Sequence, residues 1–208
     1  MTNVQFITHF TDKISYETSA ALALQGGCRW IQLRMKDAEE SEIVGTARRV
    51  RALCDEVGAK LILDDHVELV VETGADGVHL GKNDMPIRQA RRLLGNGYVI
   101  GGTANTFEDV KRIYEEGADY VGCGPFRFTT TKKNLASILG TEGYADILQR
   151  MKAEAIKIPL IAIGGITCDD IPALREIGIS GIAISGSILR AADPIAEMKR
   201  IVSMQESL

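Results

Sequence analysis

Three polar side chains recur two residues apart in "IQLRMK": Gln32, Arg34 and Lys36. On an extended strand they share one face and leave Ile31, Leu33 and Met35 on the other. A cation deep in an apolar core is costly, so this face must emerge at a strand end, where it can meet an anion. "LILDDH" and "HLGKND" each place carboxylates just after an apolar run, Asp64 and Asp65 after one and Asp84 after the next. On neighbouring strands those carboxylates would converge. Two carboxylates with open positions suit magnesium, which keeps several waters and binds substrate phosphate oxygens. Taken singly, Asp65 fits a helix cap about as well, and Asp84 a turn residue before Pro86.

Two further stretches point to anions. "GPFRFTTTKK" sets Thr129, Thr130, Thr131, Lys132 and Lys133 on a glycine-proline turn, inside the longest irregular connection, residues 126 to 141. Long connections in compact domains are usually functional or disordered, and Phe126 and Phe128 favour function. "AIGGI" and "AISGS" follow the last two apolar runs, each a small-residue turn that opens a helix and offers backbone N–H groups to a phosphate. Arg34, Lys36 and Lys132 with a metal on Asp65 and Asp84 describe a diphosphate site. The two glycine turns describe a separate phosphate pocket, so two anionic substrates fit better than one. His9, His66 and His79 are assigned no role, since lone histidines near strand ends are more often hydrogen-bonded scaffold than acid-base catalysts.

The elements that must position these residues are repetitive. Eight short apolar runs, "VQFITHF", "RWIQLRM", "KLILDD", "DGVHL", "YVIGGT", "DYVGCGP", "IPLIAIGG" and "SGIAISG", alternate with amphipathic segments such as "SEIVGTARRVRALCDEVG" that end in glycine. Strands alternating with helices imply a parallel sheet. Eight units can close into a (β/α)8 TIM barrel whose active site lies at the carboxyl ends of the strands. The 208 residues, 45% hydrophobic, suffice for one such domain over 1–208. A net charge of -4 argues against a nucleic-acid partner. The four cysteines are too far apart for a metal cluster, and no apolar run is long enough for a membrane span. A cytoplasmic protein acting on small molecules is expected, and a homo-oligomer is compatible with it.

In chain order, Gln-x-Arg-x-Lys at 32–36, "DDH" at 64–66, "DGVHLGKND" at 76–84, "IGGT" at 100–103, "GPFRFTTTKK" at 124–133, "AIGGI" at 162–166 and "GIAISGSI" at 181–188 resemble the thiamine-phosphate synthase family across nearly the whole chain. The resemblance implies magnesium-dependent joining of a hydroxymethylpyrimidine diphosphate to a hydroxyethylthiazole phosphate, with release of diphosphate. It places Gln32, Leu33, Arg34, Met35, Lys36, Asp64, Thr103 and Lys132 at the pyrimidine diphosphate, with Arg34, Lys36 and Lys132 as the catalytic cations. It assigns Asp65 and Asp84 to magnesium, Thr129, Thr130 and Thr131 to the thiazole phosphate, and Gly165, Ile184 and Ser185 to that substrate's phosphate. Asp64 stands where the family has asparagine, Thr103 where it has serine, Asn105 where histidine is frequent and Lys82 where glutamine is frequent. Two alternatives remain at this point: the related thiazole tautomerase, expected to carry histidine at the position of Pro125, and a non-catalytic phosphate-binding barrel.

Overall fold

The computed structural model describes residues 3–36, 38–128 and 137–206. Eight strands, β1 (Val4–Ile7), β2 (Trp30–Leu33), β3 (Lys60–Asp64), β4 (Gly77–Leu80), β5 (Val99–Ala104), β6 (Tyr120–Cys123), β7 (Leu160–Ile163) and β8 (Gly181–Ile184), pair in sequence order and close β8 onto β1. Every pairing is parallel. Helices α1 (Tyr16–Gln25), α2 (Glu40–Val57), α3 (Val70–Thr73), α4 (Ile87–Leu94), α5 (Phe107–Glu115), α6 (Gly140–Ala153), α7 (Ile171–Glu176), α8 (Gly186–Leu189) and α9 (Pro194–Glu206) ring the sheet. All eight apolar runs of the sequence are strands, and the (β/α)8 barrel is the architecture. Among the described residues, no helix is long and apolar enough to cross a membrane.

Local chemistry sets the helix limits. Ser15 caps α1 by accepting the Thr18 N–H, and Thr106 and Asp109 form a reciprocal capping box on α5. α2 stops at Gly58, whose left-handed φ of 66° lets its N–H return to Asp55 and Cys54 carbonyls.

Alternation along the strands divides the apolar residues into two cores. Ile31, Leu33, Leu61, Leu63, Val78 and Ile100 belong to the large cluster between sheet and helices. Trp30, Ile62, Tyr120, Ile161 and Ala183 form a smaller cluster inside the barrel. Tyr120 is its centre, edge-on to Trp30 at 4.8 Å between ring centroids. Its hydroxyl accepts from Gln5 Nε2 at 3.2 Å and lies 3.0 Å from His79 Nδ1. A ring this large fits because Gly101 offers it no side chain: a Cβ there would overlap the Tyr120 ring. Gly122 likewise clears the His79 ring, which a Cβ would meet at 3.0 Å.

All four cysteines are buried and unpaired, and burial pushes the Cys28 thiol up to about 11 and those of Cys54 and Cys123 up to about 12. They act as small apolar residues of the core.

Gly101→Ala should force Tyr120 out of its rotamer and lower stability by about 1 to 3 kcal/mol, the usual cost of overpacking a filled core. Urea denaturation monitored by circular dichroism measures it, and an unchanged midpoint would contradict this account of the barrel interior.

Candidate active site

The parity read from "IQLRMK" holds. Gln32 follows Trp30 on the inner face of β2, while Leu33 and Met35 are buried in the cluster against the helices. Any contact of Leu33 or Met35 with a ligand therefore falls to their backbone. Gln32 Nε2 donates to Asp64 Oδ1 at 2.6 Å, and Arg34 Nε stands 3.5 Å from Asp64 Oδ2. Register explains the meeting: Gln32 lies opposite Ile62, so Asp64 is the next inward position of β3. Just beyond the strand ends, Lys36 Nζ is 3.6 Å from Asp65 Oδ2. Arg34 and Lys36 are thus each engaged by a carboxylate of this chain.

Asp64 is almost fully buried, and burial pushes its carboxyl up against the opposing pull of Arg34, Lys36 and the Gln32 amide. Asp65 has a left-handed φ of 69°, uncommon outside glycine but tolerated by aspartate, and its N–H donates to the His79 carbonyl. That geometry brings its carboxylate against Asp84. Burial first, then the charges of Asp64 and Asp84, pushes the Asp65 carboxyl up to about 8. Asp65 does not cap a helix. The 3-10 turn Val67–Leu69 that follows is preceded by His66, with no side-chain cap. Asp84 does serve its turn, accepting the Gly81 N–H at 2.6 Å.

Asp65 and Asp84 fit magnesium by their chemistry: two hard oxygen donors forced together, each relieved by a divalent cation between them. Among the described residues, no group of three or more His, Cys, Asp or Glu could hold a metal. The remaining coordination positions would fall to water and substrate oxygens, the habit of magnesium rather than of a structural zinc.

His79 connects this arc to the rest of the mouth. Its Nε2 lies 2.9 Å from Thr103 Oγ1. With Gln5 donating to Tyr120, the consistent arrangement has Tyr120 donating to Nδ1 and Nε2–H donating to Thr103. This geometry gives His79, which carried no role in the sequence, a scaffold position between Tyr120 and Thr103.

Beyond Thr103 opens a cavity of about 220 Å³, lined on one side by Arg34 and on the other by Gly164, Gly165, Ile184 and Ser185. Ser185 Oγ is buried there without a hydrogen-bond partner. Several lining residues carried no signal in the sequence. His9 and Asn105 line the cavity, and Asn105 Nδ2 donates to the Gly124 carbonyl. Arg127 clamps the β7 turn by donating to the Gly165 carbonyl at 3.2 Å while pairing with Asp170 at 2.5 Å. Arg190 lines the cavity as well. Thr129, Thr130, Thr131, Lys132 and Lys133 lie outside the described residues. Of the two aromatics before them, Phe126 is a packing anchor, buried and stacked on Tyr144, and Phe128 is exposed.

A family model described as thiamine monophosphate synthase matches residues 4–188. The chain belongs to the thiamine monophosphate synthase family. It is 61% identical over 201 residues to a thiamine-phosphate synthase of Phocaeicola vulgatus, covering 97% of each chain. It is 60% identical over 205 residues to that of Bacteroides thetaiotaomicron, covering 99% of this chain and 98% of the relative. A thiamine phosphate pyrophosphorylase structure from Pyrococcus furiosus superposes with a TM-score of 0.85 at 31% identity, over 98% of this chain and 95% of that one. A 3-hexulose-6-phosphate synthase superposes with a TM-score of 0.68 at 17% identity, covering 97% of this chain and 99% of that one, a likeness of fold alone. This family member keeps the Gln-x-Arg-x-Lys strand but answers it with aspartate at 64.

The strained acidic pair generates a pH prediction for metal-free protein. Asp65 holds its proton up to about 8 when folded, whereas an unfolded aspartate loses it near 3.8, so ionisation erodes stability as pH rises between those values. Asp65→Asn removes that loss. Its melting temperature, measured in chelator, should match wild type near pH 4 and exceed it increasingly toward pH 8; a constant difference would show that the pair is not strained.

Proposed function

We propose that this chain is a cytoplasmic thiamine-phosphate synthase that joins 4-amino-5-hydroxymethyl-2-methylpyrimidine diphosphate to 4-methyl-5-hydroxyethylthiazole phosphate. The observation that carries this reading is the division of the mouth into two unlike halves. A cluster of Gln32, Arg34, Lys36 and three carboxylates occupies one arc, and a cavity lined by no carboxylate among the described residues occupies the other. The relatives' near full-length identity supports the same reaction.

In the reaction the methylene carbon of the pyrimidine loses its bond to the diphosphate oxygen, which leaves with the bonding electrons. The thiazole ring nitrogen then supplies the pair that forms the new carbon–nitrogen bond. No protein nucleophile is required, so the chain's work is to stabilise charge on the leaving group, align the partners and exclude water. Gln32 has a buried Oε1 without a partner, an acceptor suited to an amine of the pyrimidine. Arg34 and Lys36 hold the diphosphate end, joined by Lys132 from the connection after β6. Thr103, oriented by His79, joins them at the pyrimidine diphosphate. Thr129, Thr130 and Thr131 orient the thiazole, whose phosphate rests at Gly165, Ile184 and Ser185. Magnesium held by Asp65 and Asp84 would, when bound, neutralise charge on the diphosphate oxygens. Pro125 at the cavity wall, where the tautomerase branch is expected to carry histidine, favours the synthase.

Incubation with both substrates and magnesium should yield thiamine phosphate by chromatography together with an equivalent of diphosphate. Isomerisation of a thiazole phosphate alone would instead support the tautomerase. Lys132→Ala should lower kcat by roughly 100 to 1,000-fold, the scale for one preorganised charge-stabilising donor; near-normal turnover would remove Lys132 from the reaction. Asp84→Ala should shift the magnesium dependence of turnover to much higher concentration, because one carboxylate is left to hold the ion. An unchanged titration would leave Asp84 only its turn at Gly81.

A further inference from the structure

A phosphate monoester brings close to two negative charges into the cavity, and the groups assigned to it so far, Gly165, Ile184 and Ser185, are all neutral. Neutral donors can satisfy phosphate oxygens, but they do not compensate the cost of taking a dianion out of water. Among the described lining residues, only Arg34 and Arg190 carry a fixed charge. Arg34 is engaged by Asp64 on the far arc. Arg190 makes no ion pair with any described carboxylate, and it sits four residues beyond Gly186, on the glycine side of the cavity.

We propose that Arg190 is the cation that pairs with the phosphate of the thiazole substrate and makes the enzyme prefer the phosphorylated thiazole to its free alcohol. The inference rests on the synthase reading and adds a charged residue to its phosphate end. The guanidinium lies across the backbone just after Ser185: a Cβ on Gly186 would stand 2.5 Å from Nη1, 3.2 Å from Cζ and 3.3 Å from Nη2. A glycine at 186 therefore leaves room for the guanidinium beside the cavity. The unpartnered Ser185 hydroxyl is buried next to the same backbone, so a hydroxyl donor and a planar cation border one space. Arginine suits that place because its fork can donate two parallel hydrogen bonds to two phosphate oxygens. The side chain is exposed and has no structural partner to satisfy, and the Arg190 N–H donates to the Gly186 carbonyl whatever side chain follows.

The test is steady-state kinetics at saturating pyrimidine diphosphate and magnesium, comparing wild type with Arg190→Gln and Arg190→Lys on thiazole phosphate and on the unphosphorylated hydroxyethylthiazole. Arg190→Gln should raise KM for thiazole phosphate about 10 to 100-fold, the range for losing a hydrogen-bonded charge partner, with the loss falling on KM rather than kcat. KM for the unphosphorylated thiazole and for the pyrimidine diphosphate should stay where they are. Arg190→Lys, which keeps the charge but not the fork, should fall between wild type and Arg190→Gln. An unchanged KM for thiazole phosphate, or an equal rise for both thiazoles, would overturn the proposal. The two thiazoles are compared within each variant, so a loss of folded protein lowers both rates alike and does not imitate a phosphate-specific effect. Failure of the wild-type protein to form thiamine phosphate would overturn the synthase reading instead.

Discussion

A carboxylate that is 8% exposed stands at the top of the barrel, and the surrounding chemistry follows from keeping it there. Asp64 has almost no water to solvate it, so its charge must be answered by the protein. Gln32 answers from one inward position lower on β2, and Arg34 and Lys36 from the residues that continue that strand. The parallel register of β2 and β3 makes the answer possible, because it sets both inward faces level. A one-residue slip would send Gln32 and Arg34 toward the helices and Leu33 into the mouth. The same register brings Asp65 to the rim, where its backbone strain is held by the His79 carbonyl.

This arrangement redistributes charge within the site. Arg34 faces Asp64 and Lys36 faces Asp65, so each of the two cations nearest the pyrimidine arc has beside it a carboxyl of this chain that burial pushes toward its neutral form. With asparagine at position 64, Arg34 would be more available. The crowded Asp65–Asp84 pair would be relieved by a dication between the two carboxyls.

The barrel was legible because its evidence is local. Apolar runs of strand length, helical periodicity and glycine stops each declare themselves within a few residues, and eight repetitions leave little choice of architecture. Gln32, Arg34 and Lys36 were legible for the same reason, through period-two alternation. What remained hidden depends on contacts between distant segments. Nothing near Tyr120 announces that Gly101 and Gly122 make room inside the barrel for it and His79. The Arg127–Asp170 clamp spans 43 residues and joins two separate connections. Phe126 and Phe128 look equivalent in sequence, yet one packs on Tyr144 and the other faces solvent, because only the fold decides which side of an irregular segment meets α6. Arg190 is a single polar residue whose relevance comes only from the cavity it lines.

The two halves of the mouth differ in kind, and the reaction gives a reason. A leaving diphosphate gains charge as its bond to carbon breaks, so cations on that arc, and a metal if one binds there, would stabilise the transition state more than the ground state. The thiazole's phosphate does not change charge during the reaction, so its contacts bind substrate and transition state alike. Uniform binding of that sort serves position and affinity, and a single cation beside neutral donors suffices for it. Crowding metal and cations around both anions would strengthen binding of the product, which keeps the thiazole's phosphate, and slow its release. The cavity can then hold its phosphate firmly enough to align the ring nitrogen, while the released diphosphate takes with it the charge gathered at the other arc.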